Sequence, residues 1–89
     1  MKMLNDDLKK ITEIKQYLLD PPASFKLYDY ALQYVEDAVG ILKDYSYAGV
    51  VTDNLKKLAE QLKNKSLPQN DLRSALKQAG MQISGLTNK

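Results

Sequence analysis

Two pairs of neighbouring carboxylates, Asp6-Asp7 and Glu36-Asp37, and one pair of cations a helical turn apart, Arg73 and Lys77, are the groups with which this 89-residue chain could do chemistry. Carboxylates that pass protons near neutral pH need their pKa moved by burial or by a close charged partner. Residues adjacent in sequence point in different directions on a helix, and both acidic pairs fall on faces expected to meet solvent. The chain has no histidine and no cysteine. It therefore lacks an imidazole base, a thiolate nucleophile and a thiolate metal ligand. A di-metal helical site built on inward Glu-x-x-His pairs cannot form without histidine. Arg73 is the only arginine, so the several arginines with which chorismate mutase-like helical enzymes grip a dicarboxylate are missing. The Asp-Ser-Leu attachment motif of acyl carrier proteins is absent. Gly40, Gly49, Gly80 and Gly85 stand apart, so no phosphate-cradling glycine loop exists. The expectation is a protein without catalysis, cofactor, metal or small-molecule substrate.

The elements that would position these groups are four apolar stripes at helical spacing. In the first, Leu4, Leu8, Ile11 and Leu18 repeat by fours and threes, with Lys15 in the stripe and Ile14 beside it. Asn5 is placed to cap it, Asp6 and Asp7 suit the positive end of the dipole, and Pro21-Pro22 stops it. The second opens after Ser24 and runs through Tyr28, Ala31, Val35, Ala38, Leu42 and Tyr45. It is widened on both flanks by Leu27, Leu32, Tyr34, Val39 and Ile41, which predicts contact with more than one neighbour. Gly40 falls on its polar face, where it marks a bend or a fraying end. The third carries Val51, Leu55, Leu58 and Leu62, with Asp44 or Ser46 as cap and Asn64 as a left-handed terminator. The fourth opens at Ser66-Leu67-Pro68 and carries Leu72, Leu76, Ala79, Ile83 and Leu86, fraying from Gly85 onward. No segment sustains the alternation of a strand. Short connections favour antiparallel neighbours. The expected fold is all-α: one domain over 1–89, an antiparallel up-down-up-down four-helix bundle with helices at about 5–19, 25–43, 47–63 and 69–84. The second and third helices, being the most apolar, are expected at its centre.

Charge is distributed unevenly. Residues 1–44 hold six lysines against eight carboxylates, a net of −2, whereas residues 45–89 hold seven cations against three carboxylates, a net of +4. Such an asymmetry marks the second half as the face for an acidic partner or an anionic surface. Arg73 and Lys77 on a helix after a turn also fit a helix that enters a DNA groove, but Asp71 stands near its start and the chain is only mildly basic. Nucleic acid is therefore a weak expectation. Six tyrosines outnumber the single Phe25. Tyr28 and Tyr45 lie on the core stripe with hydroxyls reaching its edge, and Tyr30 lies off it. No apolar run approaches the ~20 residues needed to span a bilayer. No apolar stretch follows the basic start as in a secretory signal. A soluble cytoplasmic protein is expected.

Ala31-Leu32 followed by Val35-Glu36-Asp37-Ala38, then Tyr47, then Asn54-Leu55-Lys56-Lys57, and finally Lys65-Ser66-Leu67 leading to Asp71-Leu72-Arg73-Ser74-Ala75-Leu76 form a pattern over residues 31–76. This stretch resembles the small bacteriocin immunity proteins of Gram-positive bacteria, in the pediocin-like and lactococcin groups. The resemblance implies a cytosolic antiparallel four-helix bundle that protects a producing cell from its own pore-forming peptide. It implies action at the inner membrane surface, on a complex of bacteriocin with the mannose phosphotransferase permease. In that family the second half and the tail tend to decide which bacteriocin is recognised. Carried onto this chain, the partner-binding residues would be Lys63, Lys65, Arg73, Lys77, Gln82 and Lys89. Many members have a longer tail, whereas this sequence stops three residues after Leu86. The competing expectation is a small regulatory or phage-type helical module that binds a protein or nucleic acid.

Overall fold

The computed structural model describes residues 3–21 and 27–87. Four helices, α1 (Asn5–Leu19), α2 (Leu27–Leu42), α3 (Gly49–Lys63) and α4 (Gln69–Thr87), form an antiparallel bundle, and a single 3₁₀ turn at Ser46–Ala48 leads into α3. The expected cap Ser24 and the expected start of α2 at residue 25 lie outside the described residues, as does Lys89. The bundle measures 37 × 21 × 17 Å. α4 runs three residues beyond its expected end. Thr87 donates its hydroxyl to the Ser84 carbonyl at 3.2 Å, which serves a terminal acceptor, and Leu86 packs on the core.

The core is drawn almost evenly from all four helices. Ile11, Ile14 and Leu18 of α1 meet Ala31, Val35, Ala38 and Leu42 of α2. Leu55, Leu58 and Leu62 of α3 and Leu72, Leu76, Ala79 and Ile83 of α4 complete it. The first stripe is shorter than its spacing suggested. Leu4 is 70% exposed and Leu8 36%, and Ile14 takes the buried place next to Lys15. Leu4 precedes the helix and has no turn of its own to carry it inward.

The helices pack as two close pairs, α1 with α4 and α2 with α3, joined along a looser seam. No helix is central, contrary to the expectation for α2 and α3. The sequence of α4 explains the close approach of the first pair. A Cβ on Gly80 would lie 2.9 Å from Cγ of Leu19 and 3.2 Å from its backbone nitrogen, so the two backbones meet where α4 has no side chain. Gly40 has open space around it and lies in the last turn of α2, two residues before its end at Leu42.

The starts of α1 and α3 lack the expected side-chain caps, and α1 is held by tertiary bonds instead. Leu4, not Asn5, occupies the cap position of α1 and makes no side-chain cap bond. Its amide donates instead to the Tyr45 hydroxyl at 3.1 Å, and that hydroxyl donates to Asp7 Oδ2 at 2.6 Å. Tyr45 thus clasps the first turn of α1 to the α2–α3 corner. Neither Asp44 nor Ser46 caps α3, whose cap position is Ala48. Ser66 does not cap α4 either: its hydroxyl donates back to the Gln61 carbonyl at 3.3 Å, and its amide to the same carbonyl at 3.1 Å. With Lys65 N–H on the Leu62 carbonyl at 3.2 Å, this is the double return of a Schellman terminator. Its left-handed residue is Lys65, with φ 50°, while Asn64 remains right-handed at φ −84°. A lysine there bears strain that glycine would not.

Candidate functional site

Of the six residues the sequence marked for partner binding, five lie within the described residues, and they fall on three different faces. Lys63 stands on the α2 side of α3 and pairs with Glu36 at 3.4 Å, where both side chains are about half exposed. An exposed pair of this kind contributes about 0–1 kcal/mol. The two border a shallow cavity of about 320 Å³ floored by Val39 and Ala59. Lys65 is exposed at the α3–α4 corner. That corner is pinned from α2, because the Tyr28 hydroxyl donates to the Leu67 carbonyl.

Arg73 and Lys77 face a different direction. Arg73 Nη1 donates to the Pro21 carbonyl at 3.0 Å, tying α4 to the end of α1. Lys77 lies one turn on, between Arg73 and the Gly80 contact with Leu19, so it projects from the α1 flank of α4. A DNA-reading pair would need both cations free, and Arg73 is occupied within the fold. Arg73 is nevertheless exposed, and its hydrogen bond engages Nη1 alone.

Gln82 belongs to a third surface. Its side-chain oxygen accepts from Asn54 Nδ2 at 3.2 Å across the seam between α3 and α4. Beyond that bridge the seam opens into a groove of about 340 Å³. Leu55, Leu58, Ala75 and Ala79 form its floor, and Asn54, Gln61, Gln78 and Gln82 bring four carboxamides to its walls. Lys57 is the single charged residue lining it. Carboxamides both donate and accept, and they need no counter-ion to be left open to solvent. Sequence reasoning named Gln82 from this surface and missed Lys57, Gln61 and Gln78. Their spacing carried a signal: Asn54, Lys57 and Gln61 repeat by three and four beside the apolar stripe.

The opposite side of the same seam, between α1 and α2, is filled by aromatic rings. Tyr17 and Tyr34 stack with centroids 4.1 Å apart and planes 20° from parallel. The Tyr17 hydroxyl is buried without a hydrogen-bond partner. Burial pushes its phenol pKa above the usual value, with Tyr34 and Tyr30 adding to the rise and Arg73 opposing it. The Tyr45 phenol is also raised, first by its hydrogen bond to Asp7, while the Leu4 amide bond opposes the shift. Among the described residues no group of three or more acidic, histidine or cysteine side chains is placed to hold a metal ion, and no helix is long and apolar enough to cross a membrane. Compared with known proteins, the chain matches no family model, no curated protein and no solved structure.

Proposed function

We propose that this chain is a non-enzymatic binding bundle that serves as a bacteriocin immunity protein. Its mechanism is occlusion. The bundle docks from the cytoplasmic side onto a complex of the bacteriocin with a membrane receptor, of the mannose phosphotransferase permease kind, and keeps the pore closed. The single observation that supports the reading best is the residue 31–76 likeness falling on a bundle with an open groove in its basic half, between α3 and α4. Lys57 and Gln82 in the groove, and the exposed Lys65 at the α3–α4 corner, are the cations and amides available to a partner there. Arg73 supports the surface indirectly, by holding α4 against α1.

Co-sedimentation tests the docking step. The purified protein is mixed with membranes from a bacteriocin-sensitive strain, with and without added bacteriocin. The proposal expects the protein in the pellet only when receptor and bacteriocin are both present. Sedimentation that ignores the bacteriocin, or none with any member of a bacteriocin panel, contradicts it.

A further inference from the structure

The chain crosses between the two close helix pairs twice, from Leu19 to Leu27 and from Lys63 to Gln69, and both crossings lie at the same end of the bundle. The third connection, from Leu42 to Gly49, stays within the α2–α3 pair. Side chains also tie the pairs at the crossing end. Tyr17 of α1 stacks on Tyr34 of α2, and the Tyr28 hydroxyl donates to the Leu67 carbonyl just ahead of α4. At the far end no connection crosses the seam. There the Tyr45 hydroxyl joins the pairs, accepting from the Leu4 amide at 3.1 Å and donating to Asp7 at 2.6 Å. The packing differs in the same sense. Beside Leu42 and Leu55, the α2–α3 pair buries the small Ala38, Ala48 and Thr52 toward the far end, whereas Leu18, Leu62, Leu72 and Leu76 fill the crossing end. Smaller side chains bury less apolar area. The exposed Leu4, Leu8, Tyr47 and Val50 stand around the far end.

We infer that the two helix pairs form a hinged device that parts at the far end, with the Tyr45 hydroxyl as its latch. Each pair is held together from within. Gly80 seats against Leu19 and Arg73 bonds the Pro21 carbonyl in one, and Lys63 pairs with Glu36 in the other. Parting therefore leaves the backbone bonds of every helix intact and breaks the looser seam alone. The exposed Asn54–Gln82 bridge crosses that seam and yields to water. The open form turns Ala48 and Thr52 of one pair and Ile11 and Ile83 of the other to solvent, while the crossing end stays shut. It is a minor state of the free protein. The inference goes beyond the immunity reading and does not depend on it.

Native-state cysteine labelling tests it. The chain has no cysteine, so single buried thiols report the opening without background. Ala48→Cys and Ile83→Cys place a thiol at the latched end on either pair, and Ala31→Cys places one at the crossing end; all three positions are fully buried. Both latched-end thiols of the full chain are expected to react at least tenfold faster than Ala31→Cys, with a shallower urea dependence than global unfolding. Tyr45→Phe breaks the latch and should speed both about tenfold. Tyr28→Phe breaks a tie that the open form keeps, so it should speed Ala31→Cys and leave the latched-end thiols unchanged. Should a cysteine variant not fold, Thr52→Cys replaces Ala48→Cys and Ile11→Cys replaces Ile83→Cys. Equal rates at the two ends, fast labelling on one pair only, no response to Tyr45→Phe, or an equal response to Tyr28→Phe would each overturn the inference. The readout is the free bundle, so the result stands whether or not the protein protects cells.

Discussion

Replacing Gly80 with alanine should destabilise the bundle, whereas the same change at Gly40 should stabilise it. Both glycines lie inside helices, and by intrinsic propensity alone each substitution gains up to about 1 kcal/mol. At Gly40 the new Cβ meets nothing within 4 Å, so that gain is kept. At Gly80 it meets Leu19 Cγ at 2.9 Å, Cδ2 at 3.0 Å and the backbone nitrogen at 3.2 Å. The Cγ contact is too close to the Leu19 backbone for a rotamer change alone to clear it, so α1 and α4 must part slightly. Overpacking of this kind costs about 1–3 kcal/mol. Set against the propensity gain, the net is a loss of about 1 kcal/mol, and the two variants should differ by about 2 kcal/mol. For a chain of this length that separates their melting temperatures by about 8–16 °C. Urea and thermal unfolding followed by far-ultraviolet circular dichroism would measure it. In a Leu19→Ala background, Gly80→Ala should lose most of its penalty, a coupling of about 1 kcal/mol or more. Equal stability of the two alanine variants, or no coupling to Leu19, would refute the close α1–α4 approach from which the argument starts.

Tyr17→Phe removes a buried hydroxyl that has no partner and should stabilise the bundle by up to about 1 kcal/mol, read from the urea midpoint. Lys65→Gly should relieve the left-handed position at the α3 terminus and stabilise by about 1 kcal/mol in the same measurement; a loss of stability would show that Lys65 makes compensating contacts. Both Tyr17 and Tyr45 have phenols raised in the fold, so their contribution is fully present below the unfolded phenol pKa of about 10 and is lost as pH rises through the higher folded values. Stability should therefore fall more steeply for wild type than for Tyr17→Phe between about pH 9 and 12. Arg73→Met should lower the melting temperature by releasing α4 from the Pro21 carbonyl; an unchanged melting temperature would free Arg73 for the role first expected of it.

The apolar spacing made the four helices legible because three- and four-residue repeats admit one buried face per helix, and Leu55, Leu58, Leu62 and Leu72, Leu76, Ala79, Ile83 are buried as that rule requires. The pairing of helices was not legible. It depends on where backbones approach, and Gly80 reads in sequence like Gly40 until Leu19 is seen against it. The ends were read as local caps, yet the first turn of α1 is secured by Tyr45, more than thirty residues away. The left-handed terminator was placed one residue early, on Asn64 instead of Lys65, since residue preference alone favours asparagine. The candidate partner residues were chosen by charge along the chain, whereas helix geometry sends Lys63, Arg73 and Gln82 to three different faces. Charge asymmetry pointed to the second half of the chain; the packing adds that an amide-lined groove opens there between α3 and α4.

The central claim is that this bundle protects a cell by binding. Expression in a sensitive Gram-positive strain, challenged with a panel of bacteriocins, tests it most directly. The account predicts survival against at least one member of the panel, with protection reduced by Lys57→Glu in the groove and retained by the stabilising Gly40→Ala. Full sensitivity to every bacteriocin, in cells shown to contain the folded protein, would contradict it.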